Sequence, residues 1–422
     1  MKPLRVLYLH FVGPFGGASR SLFEAVSSFP PGAVQPMFVT QHGSVRDFFA
    51  QLGEVIETTG MTQIDNTRYS YYRGVRWLVV LREIAYLPST ALALRRAKQR
   101  WQKVDLIHLN EFSGLITLWI ARRWFDVPAV VHVRSVLRIE PRSLRTRWIN
   151  WMLKHHVQGV VAIDENVRAS LPVDLPVDVI HNGFSPQLAP HPDTRFAERL
   201  AALRPESFKV GFVGNLLLVK GIHELIEAAR LTRERGLDVE FIVVGDDARP
   251  SRGLKAWLLK FLGLQQNVRA EIEEALDRYA LRDRIHLVGF TRDIARVYSH
   301  MDVLAFPSHY DAPGRPIFEA AFFGVPSIVA VREPKPDTLV DGETGIAIEP
   351  RSADQLARAI ERLATDRAAA ARMGEAARRM AEHNFNACAN AAQLLSLYHR
   401  VTGRQAVDEA AVISGARASC VE

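Results

Sequence analysis

The feature that most constrains this chain is a pattern that occurs twice: an apolar strand, a glycine turn and an amphipathic helix. It appears at "LRVLYLHFVGPFGGASRSL" (Leu4 to Leu22) and again at "FKVGFVGNLLLVKGIHELIEAARL" (Phe208 to Leu231). Each copy opens a longer alternation. The first continues through "QPMFVT", "DLIHL", a helix from Ser113, "AVVHV" and "VVAI", with its opening helix expected from Ser19. The second continues through "VEFIVVGDD", "IHLVGF", "DVLAFPS", a helix "PIFEAAFF" and "PSIVAV". Short, unbroken apolar strands separated by helices imply parallel sheets covered on both faces, an α/β architecture. Between the two series, "PVDLPVDVIHNGF" with Pro186 and the turn-forming pair Asn182-Gly183 reads as the hinge. The expected organisation is a first domain over residues 1–185 and a second over 186–385. A helix over 386–402 is expected to pack back on the first domain, and 403–422 to form a poorly ordered tail.

A chain of 422 residues, 48% apolar and 23% charged, is large enough for two cores. Its two cysteines, Cys388 and Cys420, supply neither a disulfide framework nor metal-ligand spacing, which points to a reducing compartment and no metal. The runs "WLVVL" and "GLITLWIA" fall short of the roughly 20 residues that cross a bilayer. A cytoplasmic protein is expected. Charge is uneven: residues 1–183 hold 22 Lys/Arg against 14 Asp/Glu, so 22 − 14 = +8 of a total +7. Two stretches, Arg68 to Arg100 and Arg134 to His156, mix arginine with Trp, Tyr and Leu at helical spacing, the composition of an interfacial helix. An ordinary amphipathic helix with a solvated arginine face has the same composition, and the sequence leaves both readings open. Leu254 to Leu262 is similarly basic and amphipathic. Peripheral attachment to an anionic membrane at the inner face of the cell is therefore an expectation, while no recognised nucleic-acid module is present.

The chemistry sits in three loops. In "GNLLLVKG", Gly214 to Gly221, a glycine turn at a helix start presents amides to an anion, and Lys220 adds a point charge. The order of residues is not that of the nucleoside-triphosphate loop, so this signal is weak alone. Gly16 and Gly17 occupy the matching turn of the first domain, where glycines also serve plain close packing. In "DAPGRPIFEAAFF", Asp311 and Glu319 flank a turn in which Gly314 frees backbone amides. Ionised carboxylates accept pairs of hydrogen bonds from sugar diols. Glu319 could equally complement the dipole in the first turn of its helix.

Taken in order, "GGASRSL", "VIHNGF", "GNLLLVKG", "FIVVGDD", "HLVGFTRDIARVYSHMDVLAFPS", "GRPIFEAAFFGVPSIVA" and "LVDGETGIAIEP" resemble the retaining glycosyltransferases of family 4. The resemblance spans most of residues 5–400. It implies the GT-B architecture, two Rossmann-like doubly wound domains facing a cleft. The second domain would bind a nucleotide-sugar donor and the first a glycan or lipid-linked acceptor, with no metal or other cofactor. By this likeness Glu319 matches the acid on the donor ribose, Asp311 the acid near the donor sugar, and Lys220 the diphosphate lysine. These three are the catalytic candidates. Gly16, Gly17, Gly214 and Asn215 match the phosphate loops, Gly289 and Phe290 the strand end beside the base, and Gly314, Arg315, Pro316 and Ile317 the donor turn. Thr344 and Gly345 lie in the segment after the donor site, and Arg134 with His132 are acceptor-end candidates. Three departures stand out: Asp311 replaces a glutamate, Asn215 an arginine, and Arg134 a histidine. The function implied is sugar transfer with retention in surface polysaccharide biosynthesis. A catalytically silent scaffold or sensor, or an enzyme acting on a small soluble acceptor, are the competing readings.

Overall fold

The computed structural model describes residues 2–68, 72, 74–186, 193–245, 268–291 and 293–404. The expected features at Leu254–Leu262, the aspartates after Gly245 and the last eighteen residues lie outside these. The chain divides into two compact units, Met1–Ser185 with Asn384–Glu422, and Pro186–His383.

In the first unit the elements are β1 (Leu4–His10), α1 (Gly17–Ser27), β2 (Val34–Gln41), α2 (Val45–Phe49), β3 (Glu54–Thr58), α3 (Leu78–Ala85), α4 (Leu87–Arg100) and β4 (Leu106–Leu109). They continue with α5 (Leu115–Ala121), β5 (Ala129–Val133), α6 (Leu144–His155), β6 (Gly159–Ala162), α7 (Glu165–Ala169) and β7 (Asp178–Val179). The strands form one parallel sheet in the order β3-β2-β1-β4-β5-β6-β7. Both of its faces are buried, which is why its central strands read as unbroken apolar runs. Along β1, Leu7 and Leu9 enter one core with Val39, Ile107 and Val131. Val6 and Tyr8 enter the other with Phe38, Leu106 and Val130. The segment read as a hinge is partly structured: Asp178 and Val179 pair with Val161 and Ala162 at the sheet edge, so the chain leaves this unit only at Ser185.

The second unit holds α8 (Thr194–Ala201), β8 (Phe208–Val213), α9 (Ile222–Glu234), β9 (Val239–Val244), α10 (Val268–Arg278), β10 (Ile285–Gly289), α11 (Ile294–Ser299) and β11 (Val303–Phe306). It closes with α12 (Arg315–Phe322), β12 (Ser327–Ala330), β13 (Gly345–Ile348), α13 (Ala353–Thr365) and most of α14 (Arg367–Asn384). Its parallel sheet runs β10-β9-β8-β11-β12-β13. Here too alternate residues feed two cores: Phe241 and Val243 one, Ile242 and Val244 the other.

The chain returns to the first unit at Asn384, two residues before the expected 385/386 boundary. The last described helix, α15 (Ala387–Thr402), completes that unit's core with Leu394, Leu395, Leu397 and Tyr398 beside Val6 and Tyr8. Phe184 N–H donates to the Phe385 carbonyl at 2.8 Å, and the Asn390 amide donates to the His181 carbonyl at 3.0 Å, so the outgoing and returning chains are stitched together.

Candidate functional site

In each sheet the strand order reverses once, between β1 and β4 and between β8 and β11, and ligands of open parallel sheets bind at such points beyond the strands' carboxyl ends. Gly16 and Gly17 after β1, Gly214 to Lys220 after β8, and Asp311 to Glu319 after β11 fall there. Arg134 follows β5 one strand further on, Gly289 ends the edge strand β10 with Phe290 after it, and Thr344 and Gly345 lie at the opposite, amino end of β13.

In the second unit, β8 is followed by Gly214 and Asn215, and the chain turns through Lys220 to Gly221, which caps the start of α9. Gly221 has φ +80°, and a Cβ on it would lie 2.0 Å from the Pro307 carbonyl oxygen. Only glycine lets α9 start this close to the β11 loop. His309 N–H donates to the Val219 carbonyl at 2.9 Å, and the His309 ring meets Glu224 at 2.8 Å, fixing the two loops together. Between them lies Lys220. Its ammonium is 5.7 Å from the Phe306 ring centroid and 5.1 Å from that of Tyr310, within cation–π range. Among the described residues no carboxylate pairs with it, and burial pushes its pKa down. Asn215 is exposed, and its carbonyl accepts from Leu217 N–H at 2.9 Å.

The two acids hold protein partners. Glu319 is buried; its Oε1 accepts from Arg315 Nε at 3.0 Å and Nη2 at 2.9 Å, and its Oε2 accepts from the Tyr298 hydroxyl at 3.0 Å. Because α12 starts at Arg315, Glu319 sits in the second turn, which removes the dipole-capping explanation for it. It faces Arg315 one turn back, an i, i+4 ion pair in the base-first order, held here by burial. Asp311 has φ +50°, unusual for a residue with a Cβ. Its Oδ1 accepts from Arg332 N–H at 2.8 Å and its Oδ2 pairs with Arg332 Nη1 at 2.9 Å, so this acid binds the loop after β12. Gly314 caps α12 with unpartnered side-chain space closed by Phe306, whose Cζ would lie 2.6 Å from an added Cβ. Pro316 occupies the first turn, and Ile317 is buried in the core below. Gly289 has φ +79° and accepts from Gly245 N–H at 3.0 Å; Phe290 beyond it is exposed. Thr344 is buried and accepts from Val340 N–H at 2.8 Å, holding the turn that starts β13 at Gly345.

In the first unit, Gly16 precedes α1 and Gly17 begins it; a Cβ on Gly16 would meet nothing within 4 Å, so packing does not demand glycine there. Arg134 is a hub. Its Nε donates to Asn110 Oδ1 at 2.7 Å, its Nη1 to Asn182 Oδ1 at 2.5 Å and its Nη2 to His132 Nδ1 at 3.2 Å. Asn110 in turn donates to His10 Nδ1 at 3.0 Å, and His10 Nε2 meets Ser19 Oγ at 3.0 Å. Burial, with Arg134 nearby, pushes His10 down to about 3 and His132 well below its ordinary value, so both rings are neutral. His132 is buried, and its Nδ1 accepts from the Arg134 guanidinium and helps to position it. Glu111, at the end of β4, accepts from Phe112 N–H at 2.9 Å and from the Ser135 hydroxyl at 2.8 Å, and burial raises it to about 7.

Two family descriptions match the chain: "Glycosyltransferase Family 4" over residues 15–188 and "Glycosyl transferases group 1" over residues 195–380. The D-inositol 3-phosphate glycosyltransferase of Corynebacterium glutamicum is 30% identical over 379 residues, 84% of this chain and 86% of that protein. The chain belongs to the GT-B, family 4-like glycosyltransferases. CapM, a capsular polysaccharide biosynthesis glycosyltransferase of Staphylococcus aureus, is 27% identical over 207 residues, and the chain spans about half (50%) of its length. The crystal structure of Anabaena HepE with UDP-glucose has the same fold, with a TM-score of 0.70 and 22% identity over 93% of this chain and 98% of that one.

Within this GT-B frame, sequence reasoning missed the groups that hold the predicted ones. Arg315 four residues before Glu319 was a readable signal for their ion pair. Tyr298, Arg332, Asn110 and Asn182 come from distant segments and carried no local signal. Among the described residues no group of three or more His, Cys, Asp or Glu is arranged to hold a metal ion, and no helix is long and apolar enough to cross a membrane.

Proposed function

We propose that this glycosyltransferase takes its sugar from a nucleotide-sugar donor held by the second unit and transfers it, with retention, to a glycan or lipid-linked acceptor of surface polysaccharide biosynthesis. The observation that carries this reading is Lys220, a partly buried cation flanked by two aromatic rings and pairing with no carboxylate among the described residues. A diphosphate supplies the missing counter-charge. In the reaction the bond from the sugar's anomeric carbon to the donor phosphate breaks, the acceptor oxygen bonds to the same face of that carbon, and the acceptor proton passes to the leaving phosphate. Negative charge grows on the diphosphate, so a preorganised ammonium stabilises the transition state more than the ground state. Glu319, fixed by Arg315 and Tyr298, orients the ribose; Asp311, fixed by Arg332, shapes the turn near the sugar; Arg134 serves the acceptor end. HepE, solved with UDP-glucose, and CapM, named for capsular polysaccharide, support the donor class and the pathway. A small soluble acceptor is the second reading, favoured by a 25% identity over 344 residues to the 2-deoxystreptamine glucosyltransferase of Streptomyces kanamyceticus.

Calorimetric titration of UDP, GDP, ADP and CDP into the wild type and into Glu319→Ala tests the donor site. One nucleotide should bind the wild type and lose its binding in the variant. If none binds a folded wild type, a scaffold role replaces the enzyme reading.

A further inference from the structure

The first unit carries an exposed apolar face to which the proposed reaction assigns no role. It forms where the two arginine- and aromatic-rich stretches of the sequence meet. Thr67 bridges Leu137, Arg68 N–H donates to the Val136 carbonyl at 3.1 Å, and Arg138 N–H donates to the Asn66 carbonyl at 2.9 Å. The Tyr72 ring stacks on Trp77 at 5.6 Å and also receives the Arg145 guanidinium at 4.9 Å. Around this seam stand Trp77 (60% exposed), Leu78 (62%), Leu81 (64%) and Ile84 (56%) on and beside α3, with Ile139 (68%) in the loop before α6 and Leu144 (78%) at its first residue. Positions 77, 78, 81 and 84 share one helical stripe. Single exposed apolar residues are ordinary, but a grouped set marks an interaction surface. The two stretches that meet here are basic in sequence: residues 68–100 and 134–156 together hold 14 Lys/Arg and 2 Asp/Glu, so 14 − 2 = +12. One of those acids, Glu83, is buried against Gln63 N–H and Arg82. Arg142 and Arg147 are exposed and pair with no carboxylate among the described residues.

We propose that this α3–α6 face docks on an anionic phospholipid bilayer, with Trp77, Leu78, Leu81 and Ile84 entering the headgroup boundary and Arg142 and Arg147 meeting lipid phosphates. Apolar insertion and electrostatic attraction together are what hold an interfacial helix. A second copy of the chain fits poorly, because an isologous contact would set this basic face against itself. The inference rests on the lipid-linked acceptor reading for its biological meaning, yet docking is measured without any acceptor.

The test is co-sedimentation of the full chain with vesicles of phosphatidylcholine alone and of phosphatidylcholine with phosphatidylglycerol. Binding is expected to the anionic vesicles only, and to fall as salt rises to about 1 M, where the screening length is roughly 3 Å. Leu78→Glu with Leu81→Glu should lower the partition at least ~10-fold, and each of Arg142→Glu and Arg147→Glu by roughly 5-fold or more. Equal binding to both vesicle types, or unchanged binding of the leucine variant, overturns the proposal. So does a wild-type dimer that the leucine variant dissociates and that ignores vesicles. Nucleotide titration of the same preparations separates the two claims. Nucleotide bound without vesicle binding sinks docking alone, whereas vesicle binding without nucleotide sinks the donor reading alone.

Discussion

Replacing Lys220 by methionine removes the charge that lies over Phe306 and Tyr310 while keeping an unbranched stem of similar length. Two opposite charges about 4 Å apart at an effective dielectric of about 20 attract by about 4 kcal/mol. The measured net worth of a hydrogen bond to a charged group is smaller, about 1.5–3 kcal/mol, because both partners lose water. The dissociation constant of the preferred nucleoside diphosphate should therefore rise roughly 10- to 150-fold in Lys220→Met, read by calorimetry. Stability should behave oppositely. No carboxylate among the described residues loses a partner, and burial already disfavours the charged lysine, so the thermal midpoint of the free protein should stay level or rise. The pH dependence has a definite sign. With its folded pKa lowered, Lys220 binds fewer protons folded than unfolded at alkaline pH. Its contribution therefore makes the wild type gain stability as pH rises from that lowered value towards about 10.5, and the variant lacks this rise. A variant that binds nucleotide as tightly as the wild type, or that melts several degrees lower, refutes the assignment of Lys220 as an anion site held ready by the fold.

Three further outcomes follow from the geometry. Glu319→Gln leaves the Arg315 guanidinium without its carboxylate in a buried setting and should cost about 3–5 kcal/mol in urea denaturation, in addition to lost nucleotide binding. Gly221→Ala places a methyl 2.0 Å from the Pro307 carbonyl oxygen at a φ of +80°, so it should destabilise by more than about 2 kcal/mol and separate the loops after β8 and β11, read as a lower melting midpoint and, on the proposed donor site, weaker nucleotide binding. Glu111, raised from its ordinary 4.5 to about 7, binds more protons folded than unfolded between those values, so it makes stability fall as pH rises through that window, by up to ~3 kcal/mol. Glu111→Gln should flatten the difference between melting curves taken at the two ends of that window.

How much of this was legible depends on where each residue's partners lie in sequence. The strands Leu4–His10 and Phe208–Val213 are plain in the sequence because burial on both faces leaves them apolar throughout. Strand β3 is missed because it lies at the sheet edge and carries Glu54 and Glu57, and β7 because two paired residues sit inside a proline-rich stretch. Helix α1 starts at Gly17, two residues before the expected Ser19, since glycines at a helix start mask its first turn. The candidate loops were legible through glycine, lysine and acid spacing, but not the groups that hold them. Asp311 meets Arg332 across the loop after β12, and Arg134 meets Asn110 and Asn182 from separate strand ends. No periodicity encodes such contacts; the topology of the sheet makes them.

The same geometry turns one departure from the family pattern into a prediction. At the carboxyl end of the second sheet Arg315 pairs with Glu319 and Arg332 with Asp311, which leaves Lys220 as the cation without a carboxylate partner among these three. The family's second cation on the β8 loop is absent, because the residue after Gly214 is the exposed Asn215. Asn215→Arg should add an uncommitted charge beside the same anion. An added charge-assisted contact of about 1.5 kcal/mol tightens nucleoside diphosphate binding roughly 10-fold. In the Lys220→Met background the arginine should recover part of the loss, with a coupling of at least ~0.5 kcal/mol between the two substitutions, since both act on one diphosphate. Unchanged affinity in both backgrounds would mean that Asn215 faces no anion, and the diphosphate would have to lie elsewhere than over the Gly214–Gly221 loop.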